Sequence, residues 1–140
     1  MIAFDTDVLT ELLLGNASFV QRASTIPIAE QSLPVIVIDE EIMRGRLNTI
    51  RQSEAGRVSI TISHAYALFE DSFRDFRRLQ VLSYTSQAEA LYQEWRGQGI
   101  RTATHDLRIA ALCVTHSATL ISRNRRDFEN LPGLSVEFWM

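Results

Sequence analysis

Four acidic residues stand at or beside the ends of apolar runs, although long stretches of chain separate them: Asp5, Glu41, Asp106 and Asp127. If the short runs are parallel strands, their carboxyl ends share one edge of a sheet, and ligands bind at that edge in open α/β sheets. Several carboxylates converging there would make a site for a hard divalent cation such as Mg²⁺. The placement of these acids therefore predicts a metal site.

Four negative charges in one pocket would repel one another strongly. At separations of about 6 Å and an effective dielectric constant near 20, each pair costs roughly 3 kcal/mol. Such a cluster persists only if some carboxyls stay protonated or a cation compensates them. Oxygen ligands with open positions for water favour Mg²⁺ or Mn²⁺. Either ion can activate a water molecule and orient a phosphodiester for attack.

Each acid also has an ordinary explanation. Asp5 could merely cap a helix, and Glu41 could complement a helix dipole. Asp106 stands where an acid is favourable in a first helical turn, and Asp127 could pair with a neighbouring arginine at the surface. The case for a site rests on their joint placement and not on any one of them.

Length and composition indicate one globular domain covering residues 1–140. The chain is 46% hydrophobic and 22% charged, with a net charge of −3, values typical of soluble proteins. No apolar run approaches the roughly 18 residues that a membrane-spanning helix needs, and no signal peptide is visible. The lone Cys113 cannot form an internal disulfide and is predicted to be buried. A cytoplasmic location is expected.

All fourteen basic residues are arginine, and the chain contains no lysine. This absence excludes a P-loop lysine and a lysine Schiff base. The single histidines His64 and His116 have no spacing that makes a zinc site. His105, next to Asp106, is not expected to be catalytic.

The apolar runs and helical periodicities alternate along the chain. The predicted strands are 2–5, 35–38, 118–122 and 135–139. The predicted helices follow caps at Thr6 or Asp7, at Asp39 and at Thr104, with a long helix or helical hairpin from 59 to about 82, a helix over 88–95 and a helical turn at 125–130. This alternation predicts a three-layer α/β/α domain with a central, mostly parallel sheet of four to five strands.

Four stretches together resemble the PIN-domain family, and more narrowly the VapC-type toxins of bacterial toxin–antitoxin pairs. They are IAFDTDVL at the start, EEIMRG at 40–45, GIRTATHDLRIAALC from 99 and TLISRNRRDFENLPGL from 119. The resemblance runs nearly end to end and in family order. It implies a PIN-like fold and a metal-dependent endoribonuclease that acts as a toxin.

The resemblance also assigns roles to residues. It implies that Asp5, Glu41 and Asp106 bind Mg²⁺ or Mn²⁺, and that Asp127 completes the catalytic pocket, either as a ligand or from just outside the ligand set. Glu41 is preferred to its neighbour because it stands four residues before Gly45. Further roles are implied for residues that support the carboxylates by hydrogen bonds, namely Thr6 and Asn124. Ser122 stands where threonine is commoner.

The expected partners are an RNA substrate, a cognate antitoxin protein and a second copy of the chain in a homodimer. Arginines flanking the acids in sequence are candidates for contacts with RNA phosphates: Arg44, Arg46, Arg123, Arg125 and Arg126. A solvated charged surface is the ordinary reading of these residues. Part of the phenylalanine stripe Phe69, Phe73 and Phe76 could serve a protein interface, although core packing is its ordinary explanation.

Two alternatives remain open. A PIN-like module could bind RNA or protein without turnover, although unpaired clustered charge gives a binding module no advantage. The opening FDTDVL also resembles haloacid-dehalogenase phosphatases, in which Asp5 would be the nucleophile and Asp7 an acid. That family normally needs a later basic residue, most often lysine.

Overall fold

A five-stranded, fully parallel sheet forms the centre of the molecule. The computed structural model describes residues 1–39 and 43–140, and for 40–42 only the backbone of the helical segment that contains them. The strands are β1 (Ile2–Phe4), β2 (Gln31–Pro34), β3 (Gln80–Leu82), β4 (Thr119–Ser122) and β5 (Val136–Phe138). All four strand pairs are parallel, which confirms the α/β fold class and the predicted strand count.

The sheet order is β3-β2-β1-β4-β5. The chain therefore builds the sheet in one direction from β1 to β3, then crosses to the other side of β1 for β4 and β5. The point where this direction reverses lies between β1 and β4, and open α/β sheets bind ligands in the crevice at such a point. Asp5 and Ser122 stand at the carboxyl ends of these two strands, so the topology itself places them side by side.

Helices connect and flank the strands. They are α1 (Thr6–Leu13), α2 (Ala17–Ser24), α3 (Val35–Val37), α4 (Arg44–Glu54), α5 (Ile62–Phe76), α6 (Ser86–Gly97), α7 (Thr104–Thr115) and α8 (Arg125–Phe128), with a 3₁₀ turn at Ile28–Glu30 and a π-helical segment at Ile38–Met43. Within the described residues, no helix is long and apolar enough to cross a membrane.

Helix α7 is the most deeply buried helix and packs against β2, β4, α3 and α6. Its residues Leu107, Leu112 and Cys113 are fully buried, and they join Phe4 of β1 and Leu120 of β4 in one core. Because this helix begins at Thr104, its first turn carries Asp106 to the sheet edge. The burial predicted for Cys113 is confirmed.

The predicted second strand at 35–38 is wrong. Strand β2 lies four residues earlier, at Gln31–Pro34, and the β-branched run begins helix α3. The polar residues of β2 can be buried because each is hydrogen-bonded. Gln31 donates through its side chain to two backbone carbonyls, and Ser32 donates to the carbonyl of Ile2. Tertiary packing has overridden β-propensity here.

The long helix predicted to reach about residue 82 ends at Phe76, and strand β3 follows. This strand is short, lies at the sheet edge and is mostly exposed, so its alternation signal is weak. All three predicted caps also differ. Helix α7 includes Thr104 as its first residue, and Ala103 occupies the N-cap position without a side-chain hydrogen bond. Asp5 itself caps α1, through the Thr6 N–H, and Asp39 lies inside the π-helical segment instead of starting a helix.

Candidate active site

A cavity of about 400 Å³ opens at the carboxyl ends of β1 and β4, beside the switch in strand direction. Two of the predicted acids line it, and other polar residues complete it. The lining residues are Asp5, Thr6, Asp7, Thr10, Glu11, Asp106, Arg123 and Asn124. The sheet therefore brings together residues that are more than a hundred positions apart in the chain. This acidic pocket is the candidate active site.

Asp5 is the buried centre of the acidic pocket, with only 4% of its surface exposed. Its Oδ1 accepts a hydrogen bond from the backbone N–H of Thr6 at 2.8 Å. Its Oδ2 accepts from the hydroxyl of Ser122 at 2.7 Å. These two bonds fix the carboxylate plane, while each oxygen keeps a second lone pair for another partner.

The environment of Asp5 disfavours its charged form. Burial raises the pKa of Asp5 to about 7, although the Ser122 hydrogen bond opposes that rise. Repulsion from Asp7 and Asp106 contributes to this raised pKa, and the Thr6 N–H opposes it. A buried carboxyl beside two other acids is therefore only partly ionised near neutral pH, and a cation would stabilise its ionised form.

Asp7, Glu11 and Asp106 supply the other carboxylates of the acidic pocket. Asp106 lies in the first turn of α7 and is half-buried. Asp7 lies in the first turn of α1, where its Oδ1 accepts from the N–H of Val8 at 2.7 Å. From the sequence alone, Asp7 was expected only as a helix cap or as part of the phosphatase alternative, and not in a shared pocket. The sequence signal for this role is that Asp7 lies only two positions after Asp5.

Arg123 closes one side of the acidic pocket and is held there by three contacts. Its Nη1 lies 2.8 Å from Oε1 of Glu11, its guanidinium lies over the ring of Phe19 at 5.5 Å, and its backbone N–H points to Asp7. The guanidinium is thus an oriented cation in a pocket that four carboxylates line. Of the arginines predicted to contact RNA phosphates, it is the one that lines the pocket.

Asp127 does not line the acidic pocket but is bonded to Asn124, which does. The side-chain amide of Asn124 donates to Oδ2 of Asp127 at 2.7 Å, and the Asp127 N–H donates to Oδ1 of Asn124 at 3.2 Å. This reciprocal pair caps α8. Asp127 therefore contacts the acidic pocket only through Asn124, whose side chain it holds by hydrogen bonds.

The remaining predicted residues lie on other surfaces or outside the described part of the chain. The side chain of Glu41 lies outside the described residues, as does that of Glu40. Arg46 donates to the hydroxyl of Ser72 between α4 and α5, and Arg125 lies over Phe138. Those two contacts turn both guanidinium groups toward other surfaces. Arg44, Arg126 and His105 are exposed and do not line the pocket.

Ser122 is the supporting residue whose importance the sequence understated. It is fully buried at the end of β4, donates to Asp5 and accepts from the backbone N–H of Asn124 at 3.0 Å. One hydroxyl thus couples the central carboxylate to the loop before α8. The family pattern gave the only signal for this role, because threonine at the same position carries the same hydroxyl.

Replacing Ser122 with alanine should raise the pKa of Asp5 above its present value, because a hydrogen bond to the ionised form is lost. It should also lower the free energy of unfolding by about 1–3 kcal/mol, since the Asn124 N–H loses its acceptor. The pKa is measured by carbon-detected NMR titration in the presence of a chelator, and the stability by denaturant unfolding.

The matched control is Ser32→Ala. Ser32 is also a fully buried strand serine, and its hydroxyl donates to a backbone carbonyl. This variant should lose stability without moving the Asp5 pKa. Equal changes in the Asp5 pKa in the two variants would contradict a specific role for Ser122.

The donor set of the acidic pocket fits a hard divalent cation, since its ligating atoms are oxygens. Within residues 1–39 and 43–140, no group of three or more His, Cys, Asp or Glu side chains is arranged to hold a metal ion. Mg²⁺, however, commonly takes only one or two protein carboxylates and keeps several waters. The buried Asp5 with Asp106 supplies that minimum.

Comparisons with known proteins agree with this fold. No family model matches the chain. Among curated proteins it is similar to Ribonuclease VapC2 of Rickettsia felis, with 29% identity over 66 residues that cover 44% of this chain and 49% of the relative. It is also similar to Ribonuclease VapC1 of the same organism, with 37% identity over 57 residues, 41% of this chain and 40% of the relative. The chain therefore matches less than half the length of these curated relatives.

Solved structures match over almost the whole chain. The VapBC2 complex of Rickettsia felis bound to a promoter DNA fragment has a TM-score of 0.76 at 18% identity and covers both chains fully. FitAcB from Neisseria gonorrhoeae has a TM-score of 0.74 at 20% identity, covering 97% of this chain and 96% of the other. A toxin–antitoxin complex from Klebsiella pneumoniae has a TM-score of 0.70 at 19% identity, covering 96% of this chain and 95% of the other. The fold is that of these three structures, and the resemblance to VapC-type proteins is confirmed.

Proposed function

We propose that this chain is a Mg²⁺- or Mn²⁺-dependent endoribonuclease and the toxin of a toxin–antitoxin pair. The buried Asp5 carboxyl, which shares a pocket with Asp106 at the switch in strand direction, is the observation that carries the proposal. Two curated relatives are named ribonucleases, which supports RNA as the substrate class. The structural match over 96% of this chain to a toxin–antitoxin complex from Klebsiella pneumoniae supports an antitoxin partner.

Asp5 and Asp106 would hold the cation, with Glu41 as the further ligand that the sequence motif implies. A bound divalent cation would supply activation of water and neutralisation of charge developing on the phosphodiester oxygens. Asp5 is kept in place for this task by Ser122 and by the Thr6 N–H. Asp7 adds negative charge beside it, which strengthens the preference of the acidic pocket for a cation.

Arg123 would receive a phosphate of the RNA backbone at the rim of the acidic pocket. Its guanidinium has five N–H donors in a planar fork that matches phosphate geometry, and Glu11 occupies only one side of it. The salt bridge and the ring of Phe19 hold this long side chain in one orientation before substrate arrives. RNA is otherwise repelled by the acids, so a fixed cation beside them helps to orient the scissile bond.

The proposal is tested by incubating the purified chain with total bacterial RNA and Mg²⁺ or Mn²⁺, then sequencing the new RNA ends. Cleavage at defined positions is expected, and excess chelator should abolish it because it removes the cation that would activate water and neutralise charge on the phosphodiester. Adding back Mn²⁺ in excess of the chelator is the control and should restore cleavage.

Cleavage that continues undiminished in chelator would contradict the proposal. Cation binding without cleavage of any RNA would favour the binding-module alternative. The phosphatase alternative has less support, since the chain has no lysine and the fold is that of toxin–antitoxin structures.

A further inference from the structure

A second cavity of about 500 Å³ lies between α2 and β5. Its lining residues are Gln21, Arg22, Thr25, Ile26, Glu137 and Trp139. We call it the α2–β5 groove. Its volume lies within the range of about 300–1,000 Å³ that ligand pockets occupy. The activity proposed above does not use this groove.

The α2–β5 groove adjoins the acidic pocket through a run of stacked side chains. The guanidinium of Arg123 lies over the ring of Phe19, which contacts Trp139 at 6.2 Å between ring centres, and the guanidinium of Arg22 lies 5.8 Å from the centre of Trp139. The backbone N–H of Trp139 also donates to the carbonyl of Ser122 at 3.0 Å. These contacts connect Arg123, which lines the acidic pocket, to Trp139 and Arg22, which line the groove.

The rings of Phe19 and Trp139 stack against arginine side chains and are not available for stacking with an RNA base. Phe19 is 4% exposed and Trp139 is 3% exposed, so neither offers a face on which a base could stack. The indole N–H of Trp139 is already taken by Glu137 at 3.0 Å. The rings act as a buried platform with one guanidinium at each end, and cation–π contact restrains both arginines.

Arg22 is the more available of the two cations. Arg123 is paired with Glu11, whereas in the part of the chain that the structure describes no carboxylate lies within salt-bridge distance of the Arg22 guanidinium. The groove also holds the carboxylate of Glu137, whose Oε1 accepts from the indole N–H of Trp139, and the Thr25 hydroxyl already donates to the carbonyl of Arg22. The restrained, exposed guanidinium of Arg22 therefore supplies the positive charge of the groove, and a guanidinium fork matches a phosphate group.

We propose that the α2–β5 groove is a subsite for the RNA strand next to the cleavage point, in which Arg22 contacts a backbone phosphate. The strand leaves the acidic pocket over Arg123 and enters the groove, where the side-chain amide of Gln21 adds a polar contact. This inference rests on the proposed ribonuclease function and extends it from one phosphate to several. Recognition there is of the backbone, so it does not depend on base sequence.

The test measures binding of two probes by fluorescence anisotropy in Mg²⁺, and gel electrophoresis after each titration checks that the probes are intact. One is a single-stranded 2′-O-methyl RNA of about 12 nucleotides, within the site sizes that single-strand binding surfaces cover. The other is a 2′-O-methyl dinucleotide with one phosphate. Arg22→Gln should weaken binding of the long probe about threefold to tenfold at low salt and reduce the salt slope by about 0.7. It should leave dinucleotide binding unchanged.

Two further variants make the result specific. Arg51 lies in the last turn of α4, as Arg22 lies in the last turn of α2, and both are exposed. Arg51→Gln therefore removes the same charge from the same helical position away from the groove, and it should leave both affinities unchanged. Arg22→Lys keeps the charge without the planar stacking on Trp139, so it should retain the salt slope while losing part of the affinity.

If the wild-type protein binds the long probe, and Arg22→Gln and Arg51→Gln change that affinity equally, the subsite is overturned. The proposed ribonuclease function is then left intact. Loss of dinucleotide binding in Arg22→Gln would also overturn it, because Arg22 would then act on the acidic pocket itself. A wild-type protein that neither binds nor cleaves RNA would instead refute the proposed function, and the subsite with it.

Discussion

Asp106→Asn is expected to lower the rate of RNA cleavage by about a thousandfold or more, because it removes a carboxylate that would hold the cation. A loss of this size corresponds to about 4 kcal/mol of transition-state stabilisation. The rate is measured with saturating Mn²⁺ on the RNA that the wild-type protein cleaves. In cells, expression of the wild-type chain should arrest growth, and expression of this variant should not.

Two matched variants distinguish the loss of a carboxylate in the acidic pocket from the loss of a negative charge elsewhere in the protein. Asp127→Asn should cost only about 10–100-fold, the usual range for residues that orient a ligand, because Asp127 acts through Asn124. Asp75→Asn, an exposed residue on α5, should cleave at the wild-type rate. A folded Asp106→Asn protein with wild-type cleavage would refute the assignment of this residue.

The second large effect is a loss of stability as pH rises in the absence of divalent cations. The pKa of Asp5 is about 7 in the folded protein, against 3.8 for an ordinary aspartate. Between pH 4 and 7 the folded state therefore binds more protons than the unfolded state, so the free energy of unfolding falls as pH rises through that window and levels off above it. A difference of this size between the folded and unfolded pKa of one carboxyl corresponds to an upper limit of about 4 kcal/mol.

Asp5→Asn should remove this pH dependence, because asparagine can still cap α1 and can hydrogen-bond to the Ser122 hydroxyl while carrying no charge. Unfolding is measured with denaturant in chelator at pH 4.5 and pH 8, and the quantity compared is the difference between variant and wild type. The variant should be about 2–4 kcal/mol more stable than wild type at pH 8 and nearly equal at pH 4.5. Equal differences at the two pH values would contradict the assignment to Asp5. Excess Mg²⁺ should stabilise the wild type selectively.

The sequence predicted the fold class well because the deciding signals are local. The apolar run before Asp5 and the run ending at Ser122 are short and bounded by turn or cap residues, and both form strands. Strand β2 could not be predicted in the same way. Its buried Gln31 and Ser32 read as polar loop residues, and their hydrogen-bond partners come from elements that only the tertiary structure brings near.

Some residues of the candidate site could be predicted from their type and their position next to a strand. A carboxylate directly after a strand, as at Asp5, is placed at the sheet edge by topology. Asp7 and Arg123 belong to the same pocket for a different reason, since the contact between α1 and β4 joins positions at opposite ends of the chain. The motif after β4 gave Asp127 and Asn124 separate roles, whereas the structure shows one bonded pair.

The buried thiol of Cys113 can be used to measure how often the core of this protein opens to solvent. Cys113 is the only cysteine in the chain, it is fully covered in the middle of α7, and burial raises the pKa of its thiol well above the usual range. Only a thiolate that reaches solvent reacts with a disulfide reagent. The rate at which the disulfide reagent labels the Cys113 sulfur therefore reports how often the core around the acidic pocket opens. The measurement needs no denaturant and no introduced cysteine.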